Sequence, residues 1–225
     1  THNWLRNVIS HEFTHMVQIQ AAMKSKRSLP AVFLQVLSYE DKRRPDILYG
    51  FPNVLISYPL AMINVPAWFA EGTAQYMRKE FDYDRWDTHR DMILRSYALD
   101  GNMLTWNEMG VFGKTSLGNE SVYNSGFAFT RYLSQKYGED KLREVTKALG
   151  NFGVFTIDAA FSKVIGKDGN QLYNEWKDFL TNDYKNRISK VLENKVEGEQ
   201  IASVGFGNFY PVFSEDGKKV YYISN

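Results

Sequence analysis

Apolar residues recur at helical spacing along most of this chain. Over residues 2–24, Trp4, Val8, Phe13, Met16, Val17 and Ile19 keep that spacing, and no Pro or Gly intrudes. The pattern predicts a long helix there and a short one over 30–39. From Pro45 to Val65 the chain is apolar but cut by Pro52 and Pro59, which predicts an irregular segment. Pro66 suits the first turn of the next helix, where a missing N–H costs nothing, and that helix is expected to run to about Lys79. Asp84 is placed to cap a helix ending at Leu99, and Asp100-Gly101-Asn102 reads as a turn. Thr105 is expected to cap a short helix through Met109. Further helices are predicted over 119–136, 139–149, 156–165 and 170–192, with Gly138 and Gly150 as stops.

After Glu199 the period changes. Phe209 to Asn225 reads as strand, turn, strand, with Asp216-Gly217 at the turn. One hairpin is not stable alone, so it is expected to open a further domain beyond Asn225. The polar run 194–200 marks a boundary between a first domain over 1–195 and a second over 200–225. The fold class expected is mainly α with a C-terminal β-hairpin.

Composition changes this picture in three ways. With 225 residues, 44% of them hydrophobic, there is material for one good-sized core. A net charge of +1 gives no field that would draw nucleic acid, so no nucleic-acid partner is expected. There is no cysteine, which excludes disulfides, thiolate metal sites and Cys nucleophiles, and leaves His, Asp and Glu to hold any metal. The lack of cysteine fits an exported bacterial protein, and a cytosolic one as well. The chain opens at Thr1 without Met and runs almost at once into a helix. That reads as a fragment whose upstream part, with any targeting segment, lies outside it. Ile47 to Ala70 carries no charge, but Pro52, Pro59 and Pro66 break it, so no transmembrane helix is expected. The segment reads as buried and irregular, or as a cleft wall or contact surface.

The chemistry sits in His11-Glu12-Phe13-Thr14-His15. Histidines at i and i+4 share one helix face, so two imidazole nitrogens can meet one ion. Glu12 then projects beside the ion, placed to take a proton from the attacking water. A catalytic zinc wants a third protein ligand and an open position. His2 is on the same helix, about nine residues before His11, and cannot reach. His89 sits among polar neighbours, and Glu40 and Asp41 adjoin Lys42, Arg43 and Arg44; Asp46 is a further candidate. Glu71 is a lone carboxylate between Trp68-Phe69-Ala70 and Gly72-Thr73-Ala74, a costly placement unless it is paired or metal-bound. It is the preferred third ligand.

Pro66-Ala-Trp68-Phe-Ala-Glu71-Gly72-Thr-Ala74-Gln-Tyr76 resembles the P-x-W-x-x-E-G-x-A-x-Y helix of gluzincin metallopeptidases, in particular bacterial peptidase MA-like domains related to M1 aminopeptidases. Tyr123-Asn-Ser-Gly126-Phe127-Ala128-Phe-Thr-Arg-Tyr132-Leu133 resembles their Y-x-x-G-F-A-x-x-x-Y-L helix. Asp158 to Leu180 resembles their last helices, so the likeness covers about residues 2–185. It implies a zincin-like helical lobe with one Zn²⁺ on His11, His15 and Glu71. It further implies Glu12 as general base, Tyr123 as oxyanion donor, and a peptide or protein substrate. The gap from His15 to Glu71 is longer than usual, which makes 24–65 an insertion. The β-rich subdomain expected upstream and the aminopeptidase G-x-M-E-N loop are absent from these residues. Pro211-Val-Phe213-Ser214-Glu-Asp216-Gly217 resembles a TolB-like β-propeller blade. That implies a propeller that can bind a protein partner and an extracytoplasmic location, in the periplasm or cell envelope. Two rivals stand beside the peptidase: a zinc-bound pseudo-peptidase that presents a propeller, and a helical adaptor that binds no metal.

Overall fold

A computed structural model describes residues 4–24, 33–39, 52–59, 64–77, 88–111, 116–203 and 207–224. Among them lie seven helices and two strand pairs. In chain order these are α1 (Trp4–Ala22), β1 (Phe33–Tyr39), β2 (Pro52–Pro59), α2 (Ala67–Tyr76), α3 (Thr88–Leu99), α4 (Ser116–Tyr137), α5 (Glu139–Leu149), α6 (Ile157–Ile165), α7 (Gly169–Glu193), β3 (Asn208–Phe213) and β4 (Val220–Ser224). The protein is mainly helical, with an antiparallel hairpin at its C-terminal end. It divides into two compact units, Thr1–Asn186 and Arg187–Asn225.

Aromatic rings carry the core of the first unit. Trp68 on α2 is 2% exposed and packs on Phe69, Trp106, Phe129 and Phe161 at ring distances of 5.2–6.3 Å. Phe129 on α4 extends the stack to Tyr173 and Trp176 on α7. Each such ring buries enough apolar area to be worth about 1.5–3 kcal/mol. This cluster pins α2 against α4.

The two helices cross in backbone contact. A Cβ on Gly72 would lie 2.3 Å from the Gly126 carbonyl oxygen, and a Cβ on Gly126 would lie 2.4 Å from the Trp68 carbonyl oxygen. Only a hydrogen at both positions allows this approach. At its far end α1 is held by a similar contact. Gly150, after α5, admits the Ala21 carbonyl at 2.7 Å from where its Cβ would be, and Lys24 donates to the Leu149 carbonyl.

The stops read at Gly138 and Gly150 fall where α4 and α5 end. Thr156 accepts from the Ala159 N–H at 3.2 Å and starts α6, and Gly166 ends it in the left-handed conformation at φ 80°. Three expectations need correction. Residues 33–39 form a strand, not a helix: Phe-Leu-Gln-Val-Leu-Ser-Tyr pairs antiparallel with 52–59, so that part of the segment expected to be irregular is a strand too, bounded by Pro52 and Pro59. Pro66 stands just outside α2 with extended backbone, its carbonyl receiving the first helical N–H groups. Residues 106–110 make a hydrogen-bonded turn instead of a helix; Glu108 takes the Thr105 N–H at 2.8 Å and its hydroxyl at 2.7 Å, and the chain continues no further as helix. Asp84 lies outside the described residues.

Trp4, Phe13, Met16, Val17 and Ile19, which mark α1 in the sequence, are exposed. Its buried positions are instead Asn7, Gln18 and Ala22. These fall with His11 and His15 on one stripe, spaced by four, four, three and four residues, and that stripe faces α2 and α5. Ile9, Phe13 and Met16, on the other side, are 59%, 63% and 66% exposed.

In the second unit, β3 and β4 form an antiparallel hairpin with a bulge between Phe209 and Val212, where Tyr210 takes φ 55°. Its turn is built by Ser214, Asp216 and Gly217. Asp216 accepts from the Ser214 hydroxyl at 2.6 Å and the Lys218 N–H at 3.1 Å, which holds its carboxyl below the usual range. Gly217 supplies the positive φ of 68°.

Candidate metal centre

Three helices deliver the side chains singled out in the sequence. His11, Glu12 and His15 come from α1, Glu71 from α2 and Tyr123 from α4. The i, i+4 spacing sets the His11 and His15 rings edge to face, 4.6 Å apart at an interplanar angle of 86°. Their Nε2 atoms are 3.0 Å apart. The Glu71 Oε2 atom lies 2.9 Å from His11 Nε2 and 3.3 Å from His15 Nε2.

These separations can be set against those that a metal requires. Ligand atoms held tetrahedrally at ~2.05 Å from zinc are ~3.3 Å from one another. The three observed distances fall at or just inside that figure. Two imidazole nitrogens and one carboxylate oxygen are also the donor set of catalytic zinc sites, with one position left open. The residues present therefore fit a zinc ion, and His11, His15 and Glu71 are the one group of such ligands among the described residues.

The three side chains also hydrogen-bond to one another. Burial opposes charge on Glu71, but hydrogen bonds from His11 and His15 outweigh it and hold the carboxyl at about 2. The hydrogen bond to Glu71 raises His15 above its usual value, against burial and with help from the Glu71 and Glu12 charges. Tyr123 reaches the same carboxylate from α4. Burial, the Glu71 charge and a hydrogen bond to Glu71 all push its phenol up, which keeps the hydroxyl a donor.

A cavity of about 210 Å³ opens beside this cluster. His11, Glu12 and Tyr123 line it with Val8, and so do Gln75, Arg90 and Glu120, which the sequence reading did not place in the site. Gln75 follows Glu71 by four residues and Glu120 precedes Tyr123 by three, so helical spacing from the assigned residues was a usable signal for both. Arg90, on α3, had none. Asn124 fixes its backbone by donating to the Arg90 carbonyl at 3.1 Å.

The other third-ligand candidates fall elsewhere. His89 is exposed on α3 and takes no part in the cluster. His2, Glu40, Asp41 and Asp46 lie outside the described residues. Comparison with protein families, curated proteins and solved structures gave no match to this chain.

Proposed function

We propose that this chain carries the zinc-binding lobe of a metallopeptidase of the gluzincin type and hydrolyses peptide bonds. The observation that carries the reading is the meeting of three ligand atoms from α1 and α2 within about 3.3 Å, with Glu12 and Tyr123 on the walls of one cavity beside them.

His11, His15 and Glu71 would hold the ion. When bound, it supplies a Lewis acid that polarises the scissile carbonyl and acidifies a water. Glu12, next in sequence to a ligand yet outside the cluster, accepts the proton of the attacking water and returns it to the leaving amine. The Tyr123 hydroxyl, kept protonated by its surroundings, donates a hydrogen bond to the developing oxyanion. The Gly72–Gly126 contact supports this division of labour. It seats Glu71 and Tyr123, each within one turn of a crossing glycine, toward the same point.

The zincin-like fold, the propeller that would follow the β3–β4 hairpin and the extracytoplasmic location belong to the same proposal. They rest on the motifs around Glu71, Tyr123 and Asp216-Gly217. The test is elemental analysis of the purified protein and its Glu71→Ala variant, followed by a peptide-cleavage screen. One zinc per chain, largely lost in the variant, together with cleavage is the expected result. Zinc without cleavage of any peptide would favour a pseudo-peptidase scaffold. No metal in either protein would refute the centre.

A further inference from the structure

Arg90 has no structural task that explains it. Among the described residues its guanidinium makes one contact, with Glu120 at 3.4 Å, and Glu120 is 54% exposed. A single long contact to an exposed carboxylate contributes little to stability and leaves most of the donor fork open. That fork sits on the wall of the cavity with His11 and Glu12. It rises from a fixed backbone point, because buried Asn124 holds the Arg90 carbonyl.

Gln75, 4% exposed, lines the same cavity as Arg90.

The charges favour one kind of substrate group. Glu12 and Glu120 make the cavity wall acidic, and Arg90 is its basic member. An ammonium group here would pair with Glu12 and occupy the general base. A carboxylate would be repelled by Glu12 unless a cation met it, and a bidentate Arg–carboxylate pair is stronger and better directed than the present contact.

Resting on the peptidase reading of this centre, we propose that Arg90 is its specificity determinant. It binds a carboxylate of the peptide in exchange for Glu120. The carboxylate is either an acidic side chain near the scissile bond or a free C-terminus.

The test measures binding apart from turnover. The Glu12→Gln variant, loaded with zinc, is titrated by calorimetry with short alanine-based peptides in matched pairs. One pair type carries Glu or Gln at each central position; the other has a free or an amidated C-terminus. The carboxylate member should bind about tenfold tighter or better, and the pair type that discriminates identifies the source. Adding Arg90→Gln should equalise the pairs, and adding Arg90→Lys should keep part of the preference. Adding Glu120→Gln should widen it by removing the internal competitor. Equal binding within all pairs, or no binding of any peptide, overturns the proposal. So does a preference that survives Arg90→Gln, or a Glu120→Gln variant whose binding collapses for peptides with free N-termini. Zinc content is read in every sample. Full zinc without discrimination sinks this inference alone. Discrimination without zinc sustains Arg90 and removes the metallopeptidase reading.

Discussion

Glu12 and Tyr123 share a cavity, but their chemistry is separable. Glu12→Gln keeps the shape and removes the proposed base, so zinc content should hold while turnover falls about 10²–10⁴-fold. Retained turnover would free Glu12 of that role. Tyr123→Phe removes the proposed oxyanion donor and should lower kcat by about 10²-fold with little change in KM; steady-state kinetics on one peptide decide it. Acid should weaken metal binding. His15 is raised above 6.5 by Glu71, so below that raised value the ion must displace one proton from it to bind. The apparent zinc affinity should fall about tenfold per unit there, and a flat affinity from pH 8 to 5 would remove His15 from the ligand set. Linkage in the metal-free chain runs both ways. The depressed Glu71 stabilises the fold above about 4.5 and loses that contribution as pH falls through about 2. The raised His15 stabilises below 6.5 and loses its contribution as pH rises through its folded value. The pair therefore helps most between about 4.5 and 6.5.

Among elements, the crossing of α2 and α4 controls the site. Gly72→Ala places a methyl 2.3 Å from the Gly126 carbonyl oxygen, which no side-chain rotation relieves. The helices must part, at a cost of about 1–3 kcal/mol. Because Glu71 and Tyr123 ride on these two helices, zinc affinity should drop with the melting temperature. A variant that loses stability yet binds zinc as before would uncouple the crossing from the centre. This scale also shows what the sequence could and could not disclose. His11 and His15 were legible because i, i+4 is a local rule, and Glu71 because a bare carboxylate among Trp68, Phe69 and Ala74 needs a partner. Asp216-Gly217 announced its hairpin by turn chemistry. Phe33–Tyr39 misled, because its short apolar run fits either period and the pairing with 52–59 that settles it is remote. Arg90 reaches the cavity only through the packing of α3 on α4, which no local pattern encodes.

For the molecule as a whole, α1 inverts the usual rule. Its apolar residues run around most of the helix, so their spacing alone did not select the inner face; the stripe bearing the ligands did. Phe13 and Met16 are left in solvent beside Trp4, Leu5 and Ile9. A contiguous apolar strip of this kind favours association. The isolated chain should bind a hydrophobic dye and show concentration-dependent sedimentation. Phe13→Ser with Met16→Gln should reduce both while changing the unfolding free energy by only about 0.5 kcal/mol. A loss of several kcal/mol would mean these side chains are buried within the fold.

The ligands also span a long stretch of chain. His11 and Glu71 are sixty positions apart, and the chain has no cysteine. An ion held between them is thus a removable clasp, closing a loop that nothing covalent closes. Loop-closure entropy rises only logarithmically, by about 0.6 kcal/mol per doubling of length. The connection between α1 and α2 is therefore free to grow or shrink at small thermodynamic cost while the clasp is shut. Removing such an ion with a chelator would open that loop and leave α1 and α2 to their packing alone.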